Sequence, residues 1–176
     1  MSFSKESIRQ EFIRKRKALT NEEVQQLSKK IVDNIRALPS YKTAKIVAIY
    51  YPMNQEVDLL DLLKDDKIFC FPKVISFPTS MMDFFEPGET YEISAFGIHE
   101  PTGKYVSGHD IDLFLVPGVA FSNEGGRIGY GKGFYDKYLK DISVKKIGVM
   151  YGFQRIDAFE LSEFDTLLDE LVSEEE

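Results

Sequence analysis

A glycine-rich stretch in the C-terminal half of the chain carries the strongest chemical signal in the sequence. Within nine residues it holds five of the twelve glycines, namely Gly125, Gly126, Gly129, Gly131 and Gly133. Glycines allow backbone N–H groups to approach phosphate oxygens closely, and a helix that begins directly after such a loop adds the positive end of its dipole. The spacing differs from the G-x-G-x-x-G of a dinucleotide-binding fold.

Charged residues within and after this loop indicate the same chemistry. The string GRIGYGKG, residues 126–133, matches G-x-x-x-x-G-K but lacks the serine or threonine that holds magnesium in a P-loop. Arg127 and Lys132 supply positive charge for phosphates, and Asp136 lies where a carboxylate can take a Mg²⁺ that bridges them. The alternative is a tight turn between a strand and a helix, with solvated charges. The loop alone does not decide between the two.

A second group of cations lies in the predicted first helix. At 100° per residue, one arc of about 60° holds four of its side chains, Lys5, Arg9, Phe12 and Arg16. Residues 1–17 carry six basic and two acidic side chains in a chain of net charge −7. This local basic surface indicates an anionic ligand. The alternative is that these are ordinary surface side chains whose aliphatic stems pack along the core.

Composition excludes several classes of protein. The chain has 176 residues, 43% hydrophobic and 29% charged, which is typical of one globular domain. The negative net charge disfavours nucleic-acid binding. Because no apolar run reaches about 20 residues, no membrane span is expected, and the charged start MSFSKESIRQEF lacks a secretory apolar core.

Cysteine and histidine usage points to a reducing compartment without zinc. Cys70, the single cysteine, lies in the apolar run FCFPKV and is expected to be buried and inert. Neither His99 nor His109 has a neighbouring ligand at metal spacing. We therefore expect a cytoplasmic protein.

Alternating apolar patterns predict the elements that position these residues. Thr20 and Glu23 form a capping-box signature that opens a second helix. Buried strands are predicted at KIVAIYY (45–51), at KIFCFPKV (67–74), at IDLFLVPGVAF (111–121), which runs into a turn, and at KKIGVMYG (145–152). Helices are predicted at about residues 4–19, at VDLLDLLKD (57–65) and at 133–139, with hairpin pieces between 75 and 97.

Strands that alternate with helices predict a single domain over residues 1–176. Its architecture is expected to be a three-layer α/β/α fold, in which helices cover both faces of a mostly parallel sheet. Ligands of such sheets bind beyond the carboxyl ends of the strands. The loop that starts at Ser122 follows the end of the third predicted strand, which places the chemistry there.

The longer string DLFLVPGVAFSNEGGRIGYGKGFYDKYL resembles the signature of the 5-formyltetrahydrofolate cyclo-ligases, also called methenyltetrahydrofolate synthetases. Further similarities follow in the family's order, at KESIR, IYYPMNQEVD, GIHEPTG, Gln154 and FDTLLDELV. The resemblance covers nearly the whole chain. It implies a fold like that of the NagB/RpiA/CoA-transferase proteins and a monomer.

The activity that this resemblance implies is the cyclisation of 5-formyltetrahydrofolate to 5,10-methenyltetrahydrofolate. ATP would be the co-substrate and Mg²⁺ the cofactor, with ADP and phosphate released by way of an iminium phosphate. Two alternatives stay open: another small-molecule phosphotransferase, or a folate- or nucleotide-binding module without catalysis. A kinase would have no need of the folate-side match.

The resemblance also implies roles for individual residues. The catalytic residues would be Lys132, Arg127 and Glu56. Nucleotide would be bound by Lys5, Arg9, Arg127, Ile128, Gly129, Tyr130, Gly131, Lys132, Gly133, Phe134 and Tyr135. Folate would be bound by Tyr51, Met53, Glu56, Phe134 and Tyr135. The alternative for Glu56 is a glutamate placed at a helix N-terminus by the dipole.

The expected metal carboxylates are Asp136 and Asp165. Because the residues before Asp165 depart from the family's pattern, Asp169 is its possible substitute. Tyr130 stands where the family often has an arginine or another polar residue, so the phosphate charge would rest more on Lys132. Phe134 replaces a frequent tyrosine and loses its hydroxyl.

Overall fold

The computed structural model of the chain describes residues 4–89, 91–93 and 97–175. Within these residues the α-helices are α1 (Lys5–Lys17), α2 (Asn21–Ala37), α3 (Pro39–Thr43) and α4 (Phe134–Leu139). The first six strands are β1 (Ile46–Ala48), β2 (Ile68–Ser76), β3 (Met81–Phe85), β4 (Tyr91–Ile93), β5 (His99–Pro101) and β6 (Tyr105–Val106). The others are β7 (Leu113–Val116), β8 (Ala120–Ser122), β9 (Arg127–Ile128), β10 (Lys145–Val149), β11 (Arg155–Ile156) and β12 (Glu170–Val172).

The main sheet is seven-stranded and mostly parallel, as predicted. Its strands follow the order β12-β10-β7-β1-β2-β3-β6. The five strands from β12 to β2 pair in parallel, whereas β3 runs antiparallel to β2 and β6 antiparallel to β3. Because the parallel strands end at one edge, the loops that follow β1 and β7 emerge side by side.

Both faces of the sheet are covered by helices, which confirms the predicted α/β/α arrangement. On one face Val47 of β1 packs in a cluster with Ile31 and Ile35 of α2. On the other face Ala48, the next residue of β1, packs in a cluster with Leu139 of α4. Successive strand residues point to opposite faces, so an uninterrupted apolar strand is what a sheet buried on both sides requires.

A smaller sheet carries α1. Strand β8 pairs antiparallel with β9 and parallel with β11. Ile8 and Phe12 of α1 are buried in a cluster with Val119, Ala120 and Ile128. Because β9 leads directly into the glycine-rich loop, this packing brings the N-terminal cations of α1 beside that loop.

The caps explain where the first two helices begin. The Ser4 hydroxyl accepts a hydrogen bond from the Ser7 amide at 3.1 Å. At α2 the Thr20 hydroxyl accepts from the Glu23 amide at 3.1 Å, and the Glu23 carboxylate accepts from the Thr20 amide at 3.0 Å. The predicted capping box is therefore confirmed.

The predicted helix at residues 57–65 is wrong in type. The segment forms a short 3-10 helix at Leu60–Lys64. Arg36 of α2 forms ion pairs with Asp61 and Asp65, at 3.1 and 3.0 Å. These ion pairs tie Asp61, in the helix, and Asp65, directly after it, to α2, and the segment is short, as 3-10 helices are.

The predicted strand at residues 111–121 is two strands in different sheets. Leu113–Val116 belongs to the main sheet and Ala120–Ser122 to the smaller one, with Pro117 and Gly118 between them. Proline lacks the N–H that a central strand must donate, so the ladder stops there.

The expectation that Cys70 is buried is met. Burial raises the pKa of its thiol to about 12, so it stays an unreactive thiol. No helix in the described ranges is long and apolar enough to cross a membrane.

Candidate active site

A cavity of about 690 Å³ opens at the carboxyl ends of β1 and β7. Its walls come from the loops after these strands, the N-terminus of α1, the β2–β3 hairpin and the glycine-rich loop. All of the site residues expected from the sequence line it, namely Lys5, Arg9, Tyr51, Met53, Glu56, Arg127, Ile128, Gly129, Tyr130, Gly131, Lys132, Gly133, Phe134, Tyr135, Asp136 and Asp165. Segments far apart in sequence thus meet at one place.

Glu56 lies at one end of the cavity, in a tight turn after β1. Its Oε1 accepts a hydrogen bond from the Met53 amide at 3.0 Å, and its own amide donates to the Met53 carbonyl at 3.0 Å. The 3-10 helix starts only at Leu60, so the carboxylate closes this turn and does not sit at a helix N-terminus.

The protonation of Glu56 is poised near neutrality. Only 5% of the residue is exposed, and burial raises the pKa of its carboxyl to about 7. The positive charges of Arg16 and Arg127 and the hydrogen bond from Met53 oppose that rise. A carboxylate in this environment accepts hydrogen bonds from a ligand strongly, because little water competes for it.

Aromatic rings form walls that suit a flat ligand. The ring of Tyr51 stacks on Phe71 with 4.0 Å between centroids, and it meets His99 edge-on at 5.8 Å. The rings of Phe77 and Phe134, which also line the cavity, are 5.8 Å apart. Such surfaces favour stacking on a planar heterocycle.

Arg127 lies between the two ends. Its Nε donates a hydrogen bond to the Pro117 carbonyl, and its guanidinium lies 4.9 Å from the centroid of the Tyr135 ring. Burial lowers the pKa of Arg127 from its usual value, and Asp136 and other acidic groups oppose this. The Tyr135 hydroxyl is buried and lacks a hydrogen-bond partner within the described part of the chain. An unpaired buried hydroxyl at a cavity wall is a ready partner for a polar ligand atom.

The other end of the cavity is cationic. Arg9 of α1 donates from Nε to the Gly129 carbonyl at 2.7 Å and pairs with Glu6. The Lys132 side chain is exposed, with its ammonium 5.6 Å from the Phe77 ring centroid. Gly131 has a φ of +91°, a conformation that favours glycine. Together they offer charge and accessible backbone to an anion.

Two carboxylates lie beside this cationic end. The Lys5 ammonium is 2.6 Å from Oδ2 of Asp165, and Oδ1 of Asp136 accepts from the Thr166 amide at 3.2 Å. Asp169, the alternative to Asp165, does not line the cavity; its carboxylate accepts from the Lys146 amide at 2.8 Å and holds β10. The structure therefore brings Asp165, and not Asp169, to the site.

The carboxylates fit a magnesium ion only together with a ligand. Among the described residues no three His, Cys, Asp or Glu side chains cluster as metal ligands. Mg²⁺ commonly takes one or two carboxylates and completes its shell with phosphate oxygens and water. Asp136 and Asp165 match that donor set beside a nucleotide.

The cavity also has lining residues that were not expected at the site from the sequence. They are Tyr50, Pro72, Val74, Phe77, Met82, Ile98, His99, Glu100, Pro117 and Gly118. The string GIHEPTG resembles a family segment and is the signal that pointed towards His99 and Glu100. The hairpin residues gave no comparable signal.

Comparisons with known proteins agree with one another. The sequence model of the 5-formyltetrahydrofolate cyclo-ligase family matches residues 1–174. A 5-formyltetrahydrofolate cyclo-ligase of Mycoplasma pneumoniae is 32% identical, over 97% of this chain and 99% of the relative. A protein of the same name from Mus musculus is 27% identical, over 98% and 94% of the two chains.

Solved structures extend this agreement to the fold. The 5,10-methenyltetrahydrofolate synthetase of Aquifex aeolicus superposes with a TM-score of 0.86 at 37% identity, covering 98% of this chain and 90% of its own. That of Mycoplasma pneumoniae gives 0.82 at 30% identity, covering 98% and 100%. With a family match over almost its whole length, the chain belongs to the 5-formyltetrahydrofolate cyclo-ligase family.

Proposed function

We propose that this chain converts 5-formyltetrahydrofolate and ATP to 5,10-methenyltetrahydrofolate, ADP and phosphate. The observation that carries the proposal is the single cavity that joins Glu56 to the cationic glycine loop. A folate with its N5-formyl group and the γ-phosphate of a nucleotide have to meet in one space for this reaction. The cavity supplies different chemistry at its two ends.

Nucleotide binds at the cationic end. Lys5 and Arg9 approach from α1, Arg127 from β9 and Lys132 from the loop after it, so the phosphates meet positive charge from two sides. Backbone N–H groups of the glycine loop add hydrogen bonds. Because Lys5 pairs with Asp165 here, nucleotide binding exchanges this ion pair for contacts with phosphate and metal.

Folate binds at the Glu56 end. The ionised carboxylate accepts hydrogen bonds from the ring N–H groups of the pterin, and Met53 borders the same wall. Tyr51, Phe134 and Tyr135 supply the rings that flank the heterocycle. This places the formyl group towards Arg127.

The chemical problem is that a formyl oxygen is a poor leaving group, so N10 cannot displace it directly. The formyl oxygen attacks the γ-phosphorus and ADP departs, which leaves an iminium phosphate at N5. N10 then adds to the formyl carbon and loses its proton, and inorganic phosphate departs with the carbon–oxygen bond. The product is the 5,10-methenyl cation.

The residues act through positioning and charge. Lys132 and Arg127 stabilise the charge on the transferred phosphate. Glu56 fixes the pterin so that the formyl oxygen faces the γ-phosphate. Asp136 and Asp165 would hold the Mg²⁺, whose charge neutralises part of that on the phosphates. The rings around the folate exclude the water that would otherwise hydrolyse the iminium phosphate.

The test is an absorbance assay for methenyltetrahydrofolate with purified protein, 5-formyltetrahydrofolate, ATP and Mg²⁺. Each component is omitted in turn, and ADP is measured in parallel. We expect a rise that needs every component, with one ADP formed for each product molecule.

Other outcomes would identify the alternatives. Phosphate transfer to a stable product without ring closure would indicate a kinase. Binding of ATP or folate without ADP release, by folded protein, would indicate a binding module. Either result contradicts the proposed function.

A further inference from the structure

Arg16 is completely buried, although it is the last of the cations on the binding arc of α1. It is 1% exposed and is among the largest fully buried side chains of the described residues. It does not line the cavity, so it does not touch a ligand there. A buried guanidinium needs several acceptors to offset its desolvation.

Those acceptors belong to three separate segments of the site. Nε donates to the carbonyl of Asn54 at 2.9 Å, in the turn that carries Glu56. Nη1 donates to the carbonyl of Gly118 at 3.1 Å, after β7. Nη2 donates to the hydroxyl of Tyr130 in the glycine-rich loop. One side chain thus links both ends of the cavity.

The turn before Glu56 needs such support. Asn54 and Gln55 have φ angles of 50° and 61°, two successive non-glycine residues in the left-handed region. This conformation is strained and persists only where surrounding contacts hold it. Arg16 holds the Asn54 carbonyl, and the Tyr151 hydroxyl donates to the Gln55 carbonyl at 2.8 Å.

We infer that Arg16 is a positioning residue that fixes the Glu56 turn against the glycine-rich loop, so that the folate and nucleotide ends of the cavity keep one relative placement. The inference rests on the proposed function for its kinetic consequence only. Its structural consequence, the ordering of the turn, is independent of any ligand.

The charge of Arg16 gives it a second effect on the turn. The charged and titratable side chains that act on Glu56 are Arg16, Arg127, Tyr50, Tyr130, Tyr135 and Tyr151. Arg16 and Arg127 are the cations among them, and the charge of Arg16 lowers the pKa of Glu56 against the effect of burial. Loss of that charge therefore raises the pKa of Glu56 further.

Two substitutions separate geometry from charge. Arg16→Lys keeps the charge but cannot reach all three acceptors at once, because its N–H groups all lie on one nitrogen, whereas the guanidinium spreads its donors over three. Arg16→Gln removes the charge as well. Arg14, exposed on the same helix, gives the matched controls Arg14→Lys and Arg14→Gln.

The first measurement is hydrogen exchange of the unliganded proteins. The Glu56 amide, which donates to Met53 at 3.0 Å, reports the order of the turn. In Arg16→Lys we expect the exchange of the Glu56 amide to accelerate about tenfold or more, while the amides of the main sheet exchange as in the parent. In the Arg14 variants the exchange of the Glu56 amide should stay unchanged. Unchanged exchange in a folded Arg16→Lys protein overturns the inference, whatever the activity of the enzyme is.

A second variant keeps the test decisive if the buried arginine cannot be replaced. Tyr151→Phe removes the other hydrogen bond to the same turn while keeping the ring in the core. We expect the same local acceleration at Glu56 from this change. Unchanged exchange at Glu56 in a folded Tyr151→Phe protein would mean that the turn does not depend on its hydrogen bonds, which contradicts the inference.

The kinetic measurement uses the pH profile. In Arg16→Gln the KM for 5-formyltetrahydrofolate is expected to rise about tenfold. In the parent protein KM increases when the pH falls below a threshold, and in Arg16→Gln this threshold is expected to lie about one pH unit higher. In Arg16→Lys the KM rises without that shift in pH. A purely structural role would lower the amount of folded enzyme and leave both KM and the pH profile unchanged.

Discussion

At the scale of single residues, the two ends of the cavity differ in how far their key side chains are buried. Glu56 is buried, so that its protonation is poised near neutrality. Lys132 is exposed at the cationic end, where its ammonium is accessible to an incoming phosphate. Their replacements should therefore fail in different ways.

Lys132→Ala should reduce turnover by about a hundredfold or more, because an ammonium at the transferred phosphate acts mainly in the transition state. The fold should persist, since the Lys132 side chain contributes little burial. The measurement is kcat with saturating ATP, together with circular dichroism. Lys140→Ala, an exposed lysine after α4, is the control; near-normal turnover in Lys132→Ala would remove this residue from its role.

Glu56→Gln should weaken folate binding while ATP affinity is largely kept. In the parent protein folate affinity should fall as pH drops through about 7, because protonated Glu56 loses its negative charge and one of the oxygens that accept from the pterin N–H groups. In the variant the affinity should be low and nearly independent of pH in that range. Titration calorimetry at pH 6 and pH 8 would check this, and an unchanged folate dissociation constant would contradict the role.

The carboxyl group of Glu56 should also make the free energy of unfolding depend on pH. Its pKa is about 7 when folded against an ordinary 4.5, so folding binds protons between these values. The contribution of Glu56 to stability is thus present at low pH and is lost as pH rises from about 4.5 to 7, by up to about 3 kcal/mol. Urea denaturation at pH 5 and pH 8 should show that the stability of Glu56→Gln relative to the parent increases with pH. A constant difference would mean that folding does not raise the pKa of Glu56.

At the scale of elements, features set by neighbouring residues could be predicted from the sequence, whereas features set by contacts between distant segments could not. The capping box at Thr20 was visible because all of its atoms lie within four residues. The 3-10 helix at Leu60–Lys64 was not, because ion pairs from α2 fix its form. The strand Glu170–Val172 was missed as well, since three residues carry too little periodicity to stand out.

Thr20→Ala should lower the free energy of unfolding by about 1 kcal/mol, because it leaves the Glu23 amide without its capping hydroxyl. Activity at room temperature should be unchanged, as α2 lies outside the cavity. The control is Ser40→Ala, whose hydroxyl is buried without a partner among the residues described, so its loss should be neutral or slightly stabilising. Urea denaturation of the two variants would check both, and equal stabilities would argue against the cap.

At the scale of the whole molecule, the site is assembled by topology. The glycine loop, Glu56 and the cations of α1 could be identified from the sequence because their residue types and spacing resemble a family. That they share one cavity follows only when β1 and β7 lie side by side and α1 packs on the smaller sheet. The contacts of Phe77 with Phe134 and of Arg16 with Asn54 could not be predicted from sequence patterns, because each joins residues more than thirty positions apart.

If Mg²⁺ and ATP bind only the folded protein, their binding should change its melting temperature. A ligand that binds only the folded state raises the melting temperature according to its concentration over its dissociation constant. Mg²⁺ with ATP should therefore stabilise the protein more than ATP with a chelator. Asp165→Asn should abolish most of this magnesium-dependent part, because Asp165 lines the cavity beside Lys5.

Asp169→Asn is the matched comparison, four residues away. It should lower the melting temperature without ligand, since its carboxylate holds the Lys146 amide of β10. It should leave the magnesium-dependent increase intact, because Asp169 does not line the cavity. Thermal denaturation of the three proteins, with ATP and with or without Mg²⁺, would decide the matter. The reverse pattern, with the increase lost in Asp169→Asn and kept in Asp165→Asn, would assign the metal to Asp169 and require the segment before β12 to rearrange on binding.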